Sequence, residues 1–106
     1  QTRSFCYVDD LVEGLICLME SDCESPVNLG NPNEFSILEI SRLILDKIQT
    51  ESKVIFQNLP QDDPKKRKPD ISKAKQVISW SPQVHIESGL ALTIDYFKRE
   101  LKKGKL

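Results

Sequence analysis

Apolar residues along this chain recur at helical spacing in four segments and cluster in three short runs. Together they predict a mixed α/β structure with about four helices and three short strands. Recurrence every three or four positions predicts helices at 9–20, 36–49, 71–78 and 86–102. Short runs rich in aromatic and β-branched residues predict strands at 4–8, 26–30 and 54–56. The expected order is β-α-β-α-β-loop-α-α, so the last elements are helical.

Residues that can cap free backbone amides indicate where the first two helices begin. Asp9 is expected to be the N-cap of the first helix. Asp10 is expected to lie beside the positive helix end as a helix-start residue, not as a catalytic acid. Ser36 and Glu39 fit a capping box, in which each side chain accepts a hydrogen bond from the other residue's backbone amide. Local sequence therefore predicts both helix starts.

The apolar positions also predict which surfaces are buried. Trp80 is expected in the core, and His85 is expected at a turn or cap, since no second metal ligand is near it in sequence. The first helix carries a wide apolar face that is expected to be buried as a whole. This face comprises Leu11, Val12, Leu15, Ile16, Leu18 and Met19.

Charge and cysteine content weigh against several classes of protein. The 106 residues include 15 Lys and Arg and 16 Asp and Glu, giving a net charge of -1. No global field would attract nucleic acid or an acidic membrane surface, so neither partner is expected. No apolar run approaches the ~20 residues of a transmembrane helix, so a soluble protein is expected. Cys6, Cys17 and Cys23 lack Cys-x-x-Cys spacing, which predicts reduced thiols and no metal site.

The segment 59–70 differs from the rest of the chain, with three prolines, seven charged residues and one aliphatic residue. Its four consecutive basic residues, 65–68, are typical of a solvated surface loop. A nucleic-acid or nuclear-localisation patch is the other generic interpretation. The adjacent acidic pair and the absence of interleaved aromatic residues count against it.

The chain resembles the carboxy-terminal part of the UDP-glucuronate decarboxylases, also called UDP-xylose synthases. These are NAD-dependent epimerase/dehydratase enzymes of the extended short-chain dehydrogenase/reductase superfamily. The matching motifs are Gln-Thr-Arg-Ser-Phe-x-Tyr-Val-x-Asp-Leu-Val at 1–12, Val-Asn-Leu-Gly-Asn-Pro at 27–32, Asp-Asp-Pro-x-Lys-Arg-Lys-Pro-Asp at 62–70, Trp-x-Pro at 80–82 and Glu-x-Gly-Leu at 87–90. The first motif is shared by many enzymes of the superfamily, whereas 62–75 is the most discriminating segment.

The resemblance implies a single unit, 1–106, that forms the substrate-binding part of a Rossmann-type enzyme. Such an enzyme converts UDP-glucuronate to UDP-xylose with NAD, which its amino-terminal half binds. This chain has no initiator methionine, no Gly-rich phosphate turn and no Tyr-x-x-x-Lys pair. We therefore expect a fragment that is inactive by itself and contains no catalytic residue. The parent enzyme is expected to be a cytoplasmic homodimer.

The resemblance also predicts a sugar-nucleotide site. Arg3 and Arg67 would bind the diphosphate from two walls, because guanidinium groups form paired, charge-assisted hydrogen bonds with phosphate. Gln1 would contact the nucleotide, Asp63 a ribose hydroxyl, and Tyr7 the substrate. The structural alternatives are a surface role for Arg3 and a core role for Tyr7.

Two other functions stay open from the sequence. Within the same superfamily, the parent could be a dTDP-glucose 4,6-dehydratase or a UDP-sugar 4-epimerase. In a different class, the chain could be a non-catalytic binding or assembly module, for which the two arginines would supply weak affinity for a sugar nucleotide.

Overall fold

The computed structural model describes residues 1–57 and 67–104 of the chain, in which two short strands and four helices form. The strands are Thr2–Ser4 (β1) and Glu34–Ser36 (β2), which pair antiparallel with Arg3 opposite Phe35. The helices are Val8–Met19 (α1), Ile37–Lys47 (α2), Ser72–Val77 (α3) and Ile86–Lys102 (α4). The predicted α/β class and four helices are confirmed, and the observed order is β-α-β-α-α-α.

The strand predictions were wrong in position. Strand β1 ends at Ser4, and residues 26–30 and 54–56 join no strand ladder within the described part of the chain. Strand β2 was not predicted, and its last residue, Ser36, was expected only as the start of the second helix. A ladder needs a hydrogen-bonding partner, and the propensity of a segment does not identify one. Ile55 and Phe56 consequently stay 73% and 81% exposed.

The capping box at the start of α2 is confirmed. The Glu39 amide donates to Ser36 Oγ at 3.0 Å, and the Ser36 amide donates to Glu39 Oε1 at 2.9 Å. These hydrogen bonds lower the pKa of Glu39, because they favour its charged form. Helix α2 ends at Lys47, two residues before the predicted end.

Helix α4 has the bounds that its periodicity predicted, and its end is followed by Gly104 with a φ of 72°. A left-handed residue after a helix end suits glycine, which has no Cβ to clash with the carbonyl. The predicted cap of α1 was wrong, because Tyr7 holds the N-cap position and makes no side-chain cap hydrogen bond. His85 holds the corresponding position of α4, as predicted.

The apolar core lies around α3 and Trp80, where the indole of Trp80 packs against α1 and Val27 and Leu29 pack from the loop before β2. Ile71, Ala74 and Trp80 are buried, with Trp80 4% exposed. Partly buried residues pack around them, namely Cys6, Val27, Leu29 and Ile78. Gly14 gives the indole room on α1, since a Cβ there would lie 3.0 Å from Trp80 Cε2. The predicted core position of Trp80 is confirmed.

Asp10 lies in the first turn of α1, as expected, and it is also a tertiary anchor. Its carboxylate is buried, and Oδ2 accepts hydrogen bonds from the amides of Gln83 at 3.1 Å and Val84 at 2.9 Å. Its backbone carbonyl accepts a hydrogen bond from Trp80 Nε1 at 2.9 Å. One residue of α1 therefore holds the whole turn between α3 and α4.

Helix α1 is apolar on two opposite sides, so the prediction of one wide buried face was wrong. The side with Asp10 and Gly14 is buried against the core. The other side is exposed, up to 83% at Met19, and consists of Val8, Val12, Leu15, Ile16 and Met19. We call these five residues the α1 stripe. The radius of gyration, 16.4 Å, exceeds the ~13 Å of a compact domain of this length, which agrees with the limited burial.

Replacing Asp10 by Ala should destabilise the chain by about 2–4 kcal/mol, because two partly buried amides lose their acceptor at about 1–3 kcal/mol each. Asp10→Asn is the matched control, since its amide oxygen can still accept, and it should cost less. Urea unfolding followed by the fluorescence of Trp80, the single tryptophan, measures both. Equal stability of the wild type and Asp10→Ala would contradict the anchor role.

The capping box should make stability depend on pH. The folded-state pKa of Glu39 lies below its ordinary value of 4.5. Its ionised form therefore stabilises the fold above that value, and the contribution is lost as the pH falls through the lowered pKa. The stability difference between wild type and Glu39→Gln should shrink from pH 7 to pH 3 in urea unfolding. Glu51→Gln, at an exposed position, should show no such change.

Candidate functional site

A cleft of about 480 Å³ opens between β1, the loop before β2 and the segment that precedes α3. Its walls are Arg3 and Ser4 on one side and segment 67–69 on another, with segment 27–31, Cys6 and Leu11 completing it. Residues 27–31 are called the turn segment below, and residues 67–70 the basic segment. Three parts of the chain that are distant in sequence therefore build one concave surface.

Strand β1 fixes the position of Arg3. Pairing with Phe35 holds its backbone in the two-stranded sheet, and the guanidinium Nη1 donates to the Thr2 carbonyl at 2.7 Å. The side chain is half-buried at the edge of the cleft. A strand backbone is a more rigid support than a loop, so Arg3 forms the fixed wall of the site.

The basic segment is attached to both other walls of the cleft. Ser4 Oγ donates to the Arg67 carbonyl at 3.3 Å, and Asn28 Nδ2 donates to the Asp70 carbonyl at 3.4 Å. Between these hydrogen bonds, Gly30 packs closely against the ring of Pro69. These three contacts place the exposed Arg67 beside the cleft that Arg3 borders.

Asp70 ends the basic segment and leads into α3. Its Oδ1 accepts hydrogen bonds from the Ser72 hydroxyl at 2.6 Å and the Ser72 amide at 3.0 Å. These bonds favour the carboxylate, and they lower the pKa of Asp70. Asp70 and Ser72 thus form one turn at the start of α3, with Ile71 at the N-cap position.

The lining of the cleft is cationic. Arg3, Arg67 and Lys68 border it, and its described lining contains no carboxylate. The amide side chains of Asn28 and Asn31 add polar groups that can donate or accept hydrogen bonds. This combination suits an anion with several oxygen acceptors, because guanidinium groups and amides together can replace its lost hydration.

The structure brings two of the five predicted site residues together, namely Arg3 and Arg67. Gln1 does not line their cleft, and its carbonyl accepts a hydrogen bond from the Ile37 amide at 3.0 Å. Tyr7 lies in a separate groove of about 710 Å³ beside α4, although Cys6 borders both spaces. Asp63 lies outside the described residues. Substrate contacts by these five residues stay predictions.

The sequence analysis did not identify Asn28 and Asn31 as site residues. Both belong to the Asn-rich motif at 27–32, which was interpreted as a strand that runs into a turn. The signal was present, because asparagine beside glycine and proline is typical of an irregular backbone. Such a segment can present amides to a ligand, as the turn segment does here.

The remaining chemistry of the described residues is limited. All three cysteines are free thiols, and no group of three or more His, Cys, Asp or Glu in residues 1–57 and 67–104 could hold a metal ion. Burial raises the pKa of Cys6, and the nearby charge of Asp10 adds to the rise. Within these same residues, no helix is both long enough and apolar enough to cross a membrane.

Sequence comparison relates the chain to a group of enzymes. It is 52% identical over 102 residues to UDP-glucuronic acid decarboxylase 1 of Xenopus tropicalis and 53% identical to that of Danio rerio, in both cases over 96% of its length. Decarboxylase 6 of Arabidopsis thaliana is 48% identical over 95% of the chain. The chain is homologous to the UDP-glucuronic acid decarboxylases. No model of a protein family matches it.

The chain spans about a quarter of the length of these decarboxylases, 24% of the two vertebrate relatives and 29% of the plant one. It corresponds to their carboxy-terminal part. The predicted resemblance is confirmed at this level. The activity of a whole decarboxylase also depends on the part of the enzyme that this chain does not cover.

Solved structures confirm the fold class. UDP-glucose 4-epimerase of Thermotoga maritima, solved with UDP-glucose, matches 94% of the chain with a TM-score of 0.86 and 28% identity. UDP-glucuronic acid 4-epimerase of Bacillus cereus, in complex with UDP-glucuronic acid and NAD, matches 93% with a TM-score of 0.83 and 30% identity. The chain spans 32% of each. Both neighbours are Rossmann-type short-chain dehydrogenase/reductase enzymes.

Proposed function

We propose that this chain forms the sugar-nucleotide-binding side of an NAD-dependent decarboxylase that converts UDP-glucuronate to UDP-xylose. The observation that carries the proposal is the 46–53% identity to UDP-glucuronic acid decarboxylases over 95–96% of the chain. The cationic cleft between Arg3 and Arg67 gives this similarity a physical site. Homodimer formation by the parent enzyme and a cytoplasmic location stay predictions.

The diphosphate of the substrate is the group that the cleft would bind. It carries about two negative charges, and each guanidinium can donate two parallel hydrogen bonds to phosphate oxygens. Arg3 would hold the diphosphate from the strand side and Arg67 from the opposite wall. Lys68 and the amides of Asn28 and Asn31 would satisfy further oxygens. The cleft would thus orient the sugar without reacting with it.

The residues of this chain are assigned binding and orientation only. In such an enzyme, bound NAD would supply the hydride-transfer chemistry at C4 of the sugar. The sequence contains neither the Gly-rich turn that cradles a dinucleotide nor a Tyr-x-x-x-Lys pair. Its residues therefore do not fit an NAD site, and no step of hydride transfer is derived from them.

The α1 stripe supports a role as one part of a larger enzyme. A helix with apolar residues on two opposite sides is stable in water when both sides are covered, and the described chain covers one of them. The relatives are about four times longer than the matched segment. We infer that other parts of such an enzyme pack on the stripe.

A UDP-sugar 4-epimerase is the second candidate. The specific observation in its favour is the structural match to the Bacillus cereus UDP-glucuronic acid 4-epimerase at 30% identity. The decarboxylases share 46–53% identity with the chain, which favours the first proposal. The difference between the two reactions is whether the carboxyl group leaves the sugar.

Incubation of the full-length protein with UDP-glucuronate and NAD should release carbon dioxide and yield UDP-xylose. Product analysis by mass spectrometry, with carbon dioxide measured in parallel, tests this. UDP-galacturonate without carbon dioxide would instead identify a 4-epimerase. Turnover of dTDP-glucose with loss of water would identify a 4,6-dehydratase.

The 106-residue chain by itself should bind UDP weakly in calorimetry, and tight binding would favour an independent binding module.

In the full-length enzyme, Arg67→Ala should raise the KM for UDP-glucuronate by about tenfold or more. The reason is that it loses charge-assisted hydrogen bonds worth about 1.5–3 kcal/mol each. The fold should persist, because Arg67 is exposed. Arg42→Ala, at an exposed position of α2, is the matched control and should leave KM unchanged. Steady-state kinetics and thermal melting decide the result, and an unchanged KM for Arg67→Ala would remove Arg67 from the site.

A further inference from the structure

We propose that the contact between Gly30 and Pro69 is a positioning device that sets the place of Arg67 in the cleft and thereby the affinity for the UDP diphosphate. Both residues line the cleft, one in the turn segment and one in the basic segment. The inference rests on the proposed function, and it assigns to these two residues a role in substrate affinity that acts through Arg67.

The contact between the two residues is close enough that a side chain at position 30 would push Pro69 away by a few tenths of an ångström. A Cβ on Gly30 would lie 3.0 Å from Pro69 Cγ and 3.5 Å from Pro69 Cβ. The first distance is well below normal carbon–carbon contact, whereas the second is close to it. The ring carbon Cγ is thus the atom that an added methyl group would displace.

Backbone conformation does not explain why position 30 is occupied by glycine. Among the described glycines, Gly104 is the one with a left-handed backbone. Gly30 is buried and has no such φ, so an alanine could adopt its backbone angles. What position 30 requires is space, and Pro69 is the neighbour that limits this space.

A shift of Pro69 would be transmitted to Arg67 because the intervening backbone is stiff. Proline fixes its own φ, and it restricts Lys68 before it to extended conformations. The two hydrogen bonds that flank the contact are long, 3.3 Å at Arg67 and 3.4 Å at Asp70. They are weaker restraints than direct packing, so the basic segment would move as a unit away from the turn segment.

Displacement of Arg67 should weaken substrate binding more than it slows the reaction. Arg67 and Arg3 would bind one diphosphate from separate walls, so displacing one wall misaligns its donors with oxygens that the other wall holds. A misplacement of about 1 Å can cost up to 10²-fold in an enzyme site, so a shift of a few tenths of an ångström would cost up to about tenfold. The chemistry at the sugar should be affected less than binding, because none of the residues concerned is assigned to it.

The test uses the full-length enzyme, with UDP as the probe in calorimetry and UDP-glucuronate in steady-state kinetics. Gly30→Ala should raise the Kd for UDP and the KM by about tenfold, with kcat changed less than about twofold. Pro69→Ala by itself should raise both by about two- to threefold, because the segment becomes less rigid. Circular dichroism confirms that each variant is folded.

Rescue distinguishes positioning from a general structural defect. Pro69→Ala removes Cγ and keeps Cβ, whose distance of 3.5 Å from the added methyl is acceptable. The double variant Gly30→Ala/Pro69→Ala should therefore bind UDP more tightly than Gly30→Ala, by about threefold or more. Gly104→Ala is the control for lost stability, since φ is 72° there and no atom lies within 4 Å of its Cβ. It should lower the melting temperature and leave Kd unchanged.

Each outcome decides the proposal. Unchanged UDP affinity in Gly30→Ala, or a weakened affinity that Pro69→Ala does not restore, would overturn it. If Gly30→Ala does not fold, Pro69→Ala decides by itself, because it removes the ring atoms that pack on Gly30. An unchanged Kd for UDP in that variant would overturn the proposal. A wild type that binds UDP but releases no carbon dioxide would refute the decarboxylase function alone, and one that does not bind UDP would refute both.

Discussion

The buried carboxylate of Asp10 is the constraint on which the described structure depends most. It accepts hydrogen bonds from two backbone amides of the turn that follows Trp80, while its own carbonyl accepts one from the indole. These three bonds join residues 70, 73 and 74 positions apart in sequence. They fix α1 against the core, and they fix the start of α4 against α1. Because Tyr7 and Cys6 directly precede α1, the anchor also fixes the end of the segment that leads from β1.

The cleft is constructed in the same way, through contacts between segments that have little regular structure. Its three walls meet through two hydrogen bonds and the Gly30–Pro69 contact. Strand β1 supplies the one wall with a ladder partner. The relative position of the walls is therefore set by loop packing, which makes affinity for a ligand sensitive to small residues that do not touch it. Packed interiors respond to a single added methyl group, and this cleft borders such an interior.

How well each feature could be predicted depends on how far apart in sequence its interacting residues lie. Helix α4 and the capping box of α2 were predicted correctly, because their determinants lie within a few residues of one another. Strand β2 was missed, since its formation depends on pairing with β1 some 30 positions earlier. Asp10 was correctly expected at the start of α1, but its partners Gln83 and Val84 lie far along the chain, so its anchoring role was missed. Only the family resemblance linked Arg3 with Arg67, and the structure places both at one cleft.

The net charge of the whole chain gives no reason to expect anion binding, whereas the charge of the cleft does. The local charge of the cleft is the relevant one for a ligand that binds there. A net charge of -1 provides no long-range attraction for a nucleotide diphosphate. Three cationic side chains nevertheless meet at the cleft without a carboxylate in its described lining. Arg67 is exposed, so water and salt screen its charge, and Coulomb attraction alone would be weak. If the cleft binds a diphosphate as proposed, selectivity would therefore have to come from the geometry of the paired guanidinium donors. That geometry is fixed by the contacts that hold the basic segment against β1 and the turn segment.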